Sequence, residues 1–186
     1  MDSNTNKKLL VGWATRDITP GKPVLLWGQL YERVSESVRD PLTVTALALE
    51  KVDENGNSCD YAVMISCDLV GVEKTVMDGV REKLKSRMEN FDVNRIFAFA
   101  THTHTGFYYA KSEDTVGLNV TYSNSQKKDI MTPQECYYFL VDRITEAVEE
   151  AWSKRAPGGV NRAMEHATVG YCRMAMYRDG SSRMYG

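Results

Sequence analysis

The residues of this chain whose types and spacing can do chemistry lie in one stretch, Thr101-His102-Thr103-His104-Thr105-Gly106. A neutral imidazole offers a nitrogen lone pair that suits zinc. A strand projects residues i and i+2 to the same side, so a strand running through His104 would turn both rings toward one space. The chain has only three histidines, and these two follow directly on the apolar run Ile96-Phe97-Ala98-Phe99-Ala100. Two readings of the pair stay open at this point: one corner of a metal site, or a pair of hydrogen-bonded or surface imidazoles at a strand end.

The elements that must position the pair are legible from periodicity. A short strand is expected over 9–14, closed by Asp17-Ile18-Thr19-Pro20-Gly21 and followed by a long aromatic loop carrying Trp27 and Gly28. Two β-prone runs, 42–50 and 61–66, flank the turn Asp53-Glu54-Asn55-Gly56-Asn57 and predict a hairpin. Val76, Val80, Leu84 and Met88 recur every four residues among charges, the stripe of an amphipathic helix over about 73–89. A strand over 95–100 follows. Strand, helix and strand with short links make a βαβ crossover, which places the strand ends at Asp68 and His102 on one edge of a parallel pair. Open α/β sheets bind ligands at that edge. Asp68 therefore converges with the histidines, either as a group that fixes a ring or the loop, or as the cap of the helix at 73–89.

Further along, 111–131 is polar and aperiodic and reads equally as a lid or as a surface insertion. Thr132-Pro133-Gln134-Glu135 is a capping box with proline in the first turn, opening a helix whose apolar face includes Cys136, Phe139, Leu140, Ile144, Val148 and Trp152. Pro157-Gly158-Gly159 is expected to end it, and 167–178 has strand character before the turn Asp179-Gly180. The expected class is thus α/β with an α+β-like mixed sheet: a βαβ unit plus a hairpin, helices packed on the sheet, in one incomplete domain.

A chain of 186 residues suffices for one sizeable core and no more. A net charge of -2 gives no electrostatic footprint for nucleic acid, and 42% hydrophobic residues exclude disorder, so a small neutral or amphipathic ligand fits best. Cys59, Cys67, Cys136 and Cys172 form no Cys-x-x-Cys pair; Cys67 and Cys172 sit in apolar runs and are expected as buried free thiols, with disulfides left open for an exported protein. Neither a signal peptide nor an apolar run near 20 residues is visible, which predicts a cytoplasmic chain without a membrane span, or a secreted one if the true N-terminus differs. Trp13 and Trp27 are expected in the core rather than on a lipid-binding surface.

Taken together, these blocks resemble the N-terminal catalytic domain of the neutral/alkaline non-lysosomal ceramidase family. The likeness runs in order through Ala14-Thr15-Arg16-Asp17-Ile18-Thr19-Pro20, then Asp40-Pro41-Leu42 leading into Ala46-Leu47-Ala48-Leu49-Glu50, Ser66-Cys67-Asp68-Leu69, Ala100-Thr101-His102-Thr103-His104-Thr105-Gly106, and Tyr177-Arg178. The resemblance implies zinc-dependent hydrolysis of the amide of ceramide or a similar N-acyl lipid, giving a fatty acid and a sphingoid base, with at most transient contact with a membrane surface. It implies His102 as the first zinc ligand and His104 as the group that meets the substrate carbonyl or its oxyanion. Arg178 matches the arginine of an Asn-Arg pair, with Tyr177 in place of that asparagine. Gly28 matches a glycine whose backbone amide holds substrate. Thr105 stands where the family usually has serine, and Phe107 where it often has proline.

The chemistry is coherent without the family. An amide is a poor electrophile, and zinc with an open position supplies both a nucleophile near neutral pH and a Lewis acid, while fixed donors must meet the developing oxyanion. A catalytic zinc needs about three protein ligands. The final Arg183-Met184-Tyr185-Gly186 reads as the start of a further segment, so the chain is expected to be a truncated catalytic domain, inactive alone. Two competitors remain: a metal hydrolase of other N-acyl or ester substrates, and a non-catalytic binding module on the same scaffold. An amidohydrolase barrel is disfavoured, because there the His-x-His pair ends the first strand and here other strands precede it.

Overall fold

A computed structural model describes residues 8–29, 31–112, 129–170 and 172–184. Residues 113–128 of the polar stretch, where a lid was one reading, lie outside the described residues.

Alternation of small or branched apolar residues with polar ones drives the first three strands, β1 (Lys8–Asp17), β2 (Thr43–Val52) and β3 (Ser58–Cys67), into an antiparallel meander. On β2 the pattern is strict: Val44, Ala46, Ala48, Glu50 and Val52 all point to the core. All three strands are longer than the expected 9–14, 42–50 and 61–66. The expected crossover follows, through α1 (Lys74–Arg87), which buries Val76, Met77, Val80 and Leu84, into β4 (Ile96–Ala100). β4 lies parallel to β3, with Val63 opposite Ile96 and Cys67 opposite Ala100.

The second helix, α2 (Pro133–Ser153), begins on the capping box. The Thr132 hydroxyl accepts from the Glu135 amide while the Glu135 carboxylate accepts from the Thr132 amide. It ends at Ser153, before the expected Pro157-Gly158-Gly159 stop. The chain then turns back as β5 (Ala156–Pro157), pairing with β1 to give the order β4-β3-β2-β1-β5. Proline is tolerated there because β5 is an edge strand. Both helices cover one face of the sheet. At Gly12 the approach is close enough that a Cβ would stand 2.3 Å from the Ala151 carbonyl oxygen of α2, so only glycine admits the helix. The buried Glu50 carboxylate accepts from Arg155 Nε at 2.7 Å, and that guanidinium stacks on Trp152.

The opposite face of the sheet is open. Trp13, Leu47, Met64 and Phe97 stand in register across four strands, and Trp13 is 70% exposed, which corrects its expected place in the core. Trp27 is half-buried, packed edge-on against Tyr108 and Tyr109. Among the described residues of the segment 167–178 only β6 (Met174–Met176) is strand, paired with β7 (Ser182–Met184) in a separate two-stranded sheet. All four cysteines are free thiols, and Cys172 is exposed rather than buried, in a segment that pairs with no strand of the five-stranded sheet among the described residues. No helix among the described residues is long and apolar enough to cross a membrane.

Candidate active site

The histidine pair sits where the parallel strands β3 and β4 end together. The ladder continues one step past each strand, with the Thr101 amide donating to the Cys67 carbonyl and the Thr103 amide to the Leu69 carbonyl, both at 3.0 Å. Between these bonds His102 takes a left-handed φ of 61°, a conformation uncommon for a residue with a Cβ and often found at functional sites. The strand therefore stops at Ala100 and does not run through His104. Strand alternation is not what brings the rings together; the turn at His102 is, and it leaves their centroids 4.6 Å apart, edge to face.

His102 is exposed, and its Nδ1 lies 2.8 Å from the Val70 carbonyl oxygen. A carbonyl only accepts, so Nδ1 carries a proton, and in the neutral ring the lone pair falls on Nε2. That is the tautomer a metal ligand requires, with the backbone carbonyl as the outer partner that fixes the ring. Asp68 does not touch either ring. Its Oδ2 accepts from the amide and hydroxyl of Thr43, and its Oδ1 from the Thr101 hydroxyl, which in turn bonds the Thr103 hydroxyl. It ties the start of β2 to the turn that holds His102. Nor does it cap α1, whose N-cap is Glu73 with no side-chain bond.

Gly28 faces the second ring. Its φ is 99°, and a Cβ there would stand 2.7 Å from His104 Cγ and 2.8 Å from Nδ1. Glycine is required on both counts, backbone conformation and space. The segment bearing it is strapped to the histidine loop: the Trp27 amide donates to the Gly106 carbonyl, the Tyr108 amide to Leu25, and Arg33 Nη2 donates both to Trp27 and to His104 carbonyl oxygens. Nothing in the sequence pattern marks Arg33, beyond its being the single arginine between Arg16 and Arg39. Tyr109 adds a further support, its buried hydroxyl donating to Gly71 and accepting from the Glu73 amide, with burial pushing its phenol well above the usual range.

Arg178 is not brought to the pair by any described bond; it lies in the turn of the β6–β7 hairpin, apart from the five-stranded sheet. Among the described residues, no three His, Cys, Asp or Glu side chains gather as a group that could hold a metal. A cleft of about 780 Å³ opens beside the loop, lined by Val24, Leu26, Leu42, Asp68, Thr103 and Phe107. The histidine rings themselves lie outside its lining, so cleft and pair are neighbours joined through Thr103 and Thr105.

Comparison with solved structures places this geometry. The neutral ceramidase of Pseudomonas aeruginosa superposes with a TM-score of 0.63 over 82% of this chain, at 22% identity. The chain has the fold of one part of neutral ceramidase. A second structure, a ceramidase complexed with C2, superposes with a TM-score of 0.60 over the same share and at the same identity. The chain spans 23% and 22% of the length of those two ceramidase chains. No family model and no curated protein sequence matches it. The mixed sheet with its crossover, expected from periodicity, is thus a ceramidase-like fold.

Proposed function

We propose that this chain forms the histidine-bearing part of a zinc-dependent amidohydrolase that cleaves the N-acyl amide of ceramide or a similar N-acyl lipid. The observation that carries the reading is the His102 ring, whose Nδ1 is held by the Val70 carbonyl so that Nε2 is the nitrogen left for a metal, with His104 packed beside it. The one donor this part of the chain offers suits zinc, an imidazole backed by a carbonyl, and the two or more further ligands a catalytic zinc needs are not gathered beside it among the described residues. Bound there, zinc would supply a Lewis acid and a hydroxide-like nucleophile near neutral pH.

The chain's own residues do the rest. His102 presents Nε2 as one ligand. His104, half-buried against Gly28, donates to the amide oxygen as negative charge develops on it, a contribution of about 3 kcal/mol for one such donor. The Gly28 backbone amide orients the acyl group, and its lack of a side chain makes room for the His104 ring beside it. Asp68 holds the turn through Thr101 and does not react. Arg178 is assigned a lesser part, as a second donor carried by the hairpin. The cleft next to Thr103 sets Val24, Leu26, Leu42 and Phe107 beside Lys22, Glu36, Arg39 and Asp40, a mixed lining that suits an amphipathic ligand.

His102→Ala in the full-length protein tests this reading through turnover of a fluorescent ceramide. Loss of about a thousandfold or more is expected when a metal ligand goes; unchanged turnover rejects the reading.

A further inference from the structure

Arg33 is the feature of this site that its chemistry does not yet use. The guanidinium makes no ion pair with any described carboxylate, and its Nε is buried without an acceptor among the described residues. A buried N–H left unpaired opposes folding, so an apolar side chain of similar length would serve stability better. What the guanidinium does instead is geometric. Nη2 donates to two backbone carbonyls at once, those of Trp27 and His104. Arg33 is itself rooted in the strap, since its carbonyl accepts from the Leu26 amide and Val34 bridges Leu25. The other strap bonds reach the loop at Gly106 to Tyr108; among the described residues Arg33 is the one that reaches the His104 backbone.

We propose that Arg33 is a positioning residue for His104: it locks the Gly28 strap and the histidine loop into one unit and thereby sets the His104 ring against Gly28. His102 has anchors of its own, Val70 and the Asp68–Thr101 bond, so although the two rings touch edge to face the clamp bears directly on His104 alone. The inference rests on the proposed donor role of His104 for its kinetic consequence, and on geometry alone for its structural one.

Both consequences are read in the full-length protein with Arg33→Ala and Arg33→Lys. In the alanine variant kcat falls about 30- to 100-fold, as for a donor displaced by roughly 1 Å, while KM stays within about threefold. Bound zinc and the absorption spectrum of the cobalt-substituted protein stay unchanged. A lysine ammonium carries enough donors for both carbonyls and restores kcat to within about fivefold of the parent. Independently of turnover, diethyl pyrocarbonate modifies His104 at least about fivefold faster in the alanine variant, the factor expected for losing one net hydrogen bond, with His102 and His166 unchanged. Equal acceleration at His102, or loss of metal that lysine does not restore, overturns the proposal, as does a parent-like His104 rate. A parent protein without amidase activity would instead count against the hydrolase reading, and the modification rates would still decide the clamp.

Discussion

Gly28→Ala puts the strap and the histidine under one test. The substitution forces a residue with a Cβ to hold φ at 99°, which costs about 1–2 kcal/mol. It also places that Cβ 2.7 Å from Cγ, 2.8 Å from Nδ1 and 3.1 Å from Cβ of His104. The contacts lie at the root of the side chain, so no rotation of a flexible end relieves them, and overpacking of this kind costs about 1–3 kcal/mol. The sum is about 2–5 kcal/mol if the loop keeps its shape. If the His104 loop yields instead, the stability loss shrinks toward the backbone share and turnover falls about a hundredfold for roughly 1 Å of displacement. Urea unfolding and fluorescent-ceramide turnover, measured together on the full-length protein, separate the two routes. Gly21→Ala is the control, since a Cβ there meets nothing within 4 Å. A Gly28→Ala protein with parent stability and parent turnover would refute the packing argument.

Three further outcomes are expected. Burial pushes the thiols of Cys67 and Cys136 up to about 12, so both stay protonated at pH 8; iodoacetamide should label the exposed Cys59 and Cys172 in the folded protein and spare the other two, and labelling of Cys67 without unfolding contradicts the assigned burial. Glu50→Ala strands the Arg155 guanidinium, whose side chain is 16% exposed, and should cost about 3 kcal/mol in urea titration; a loss below about 1 kcal/mol would mean the pair contributes nothing. Asp68→Ala removes the acceptor for the Thr43 amide and for two hydroxyls, and should lower stability by about 1–3 kcal/mol while loosening the His102 turn; a parent-like unfolding curve speaks against it.

What was legible in the sequence follows from where local rules decide. The four-residue stripe of Val76, Val80 and Leu84, bounded by short apolar runs, specifies a crossover, and a crossover specifies that Asp68 and His102 end on one edge. The capping box at Thr132 is equally local. The His102 turn was not legible, because a left-handed histidine depends on amides already committed to Cys67 and Leu69 and on a carbonyl 32 residues away. The same holds for Arg33, 71 residues from the carbonyl it clamps, in a segment without periodicity. Trp13 misled for a related reason: the strand pattern says which residues share a face, and not which face the helices cover.

If His102 holds the metal and His104 serves the substrate, the metal content of the full-length protein separates the two roles. Elemental analysis of protein purified without chelator should find about one zinc per chain in the parent and in His104→Ala, with turnover lost in the latter, and little zinc in His102→Ala. Stoichiometric zinc retained in His102→Ala would contradict the account.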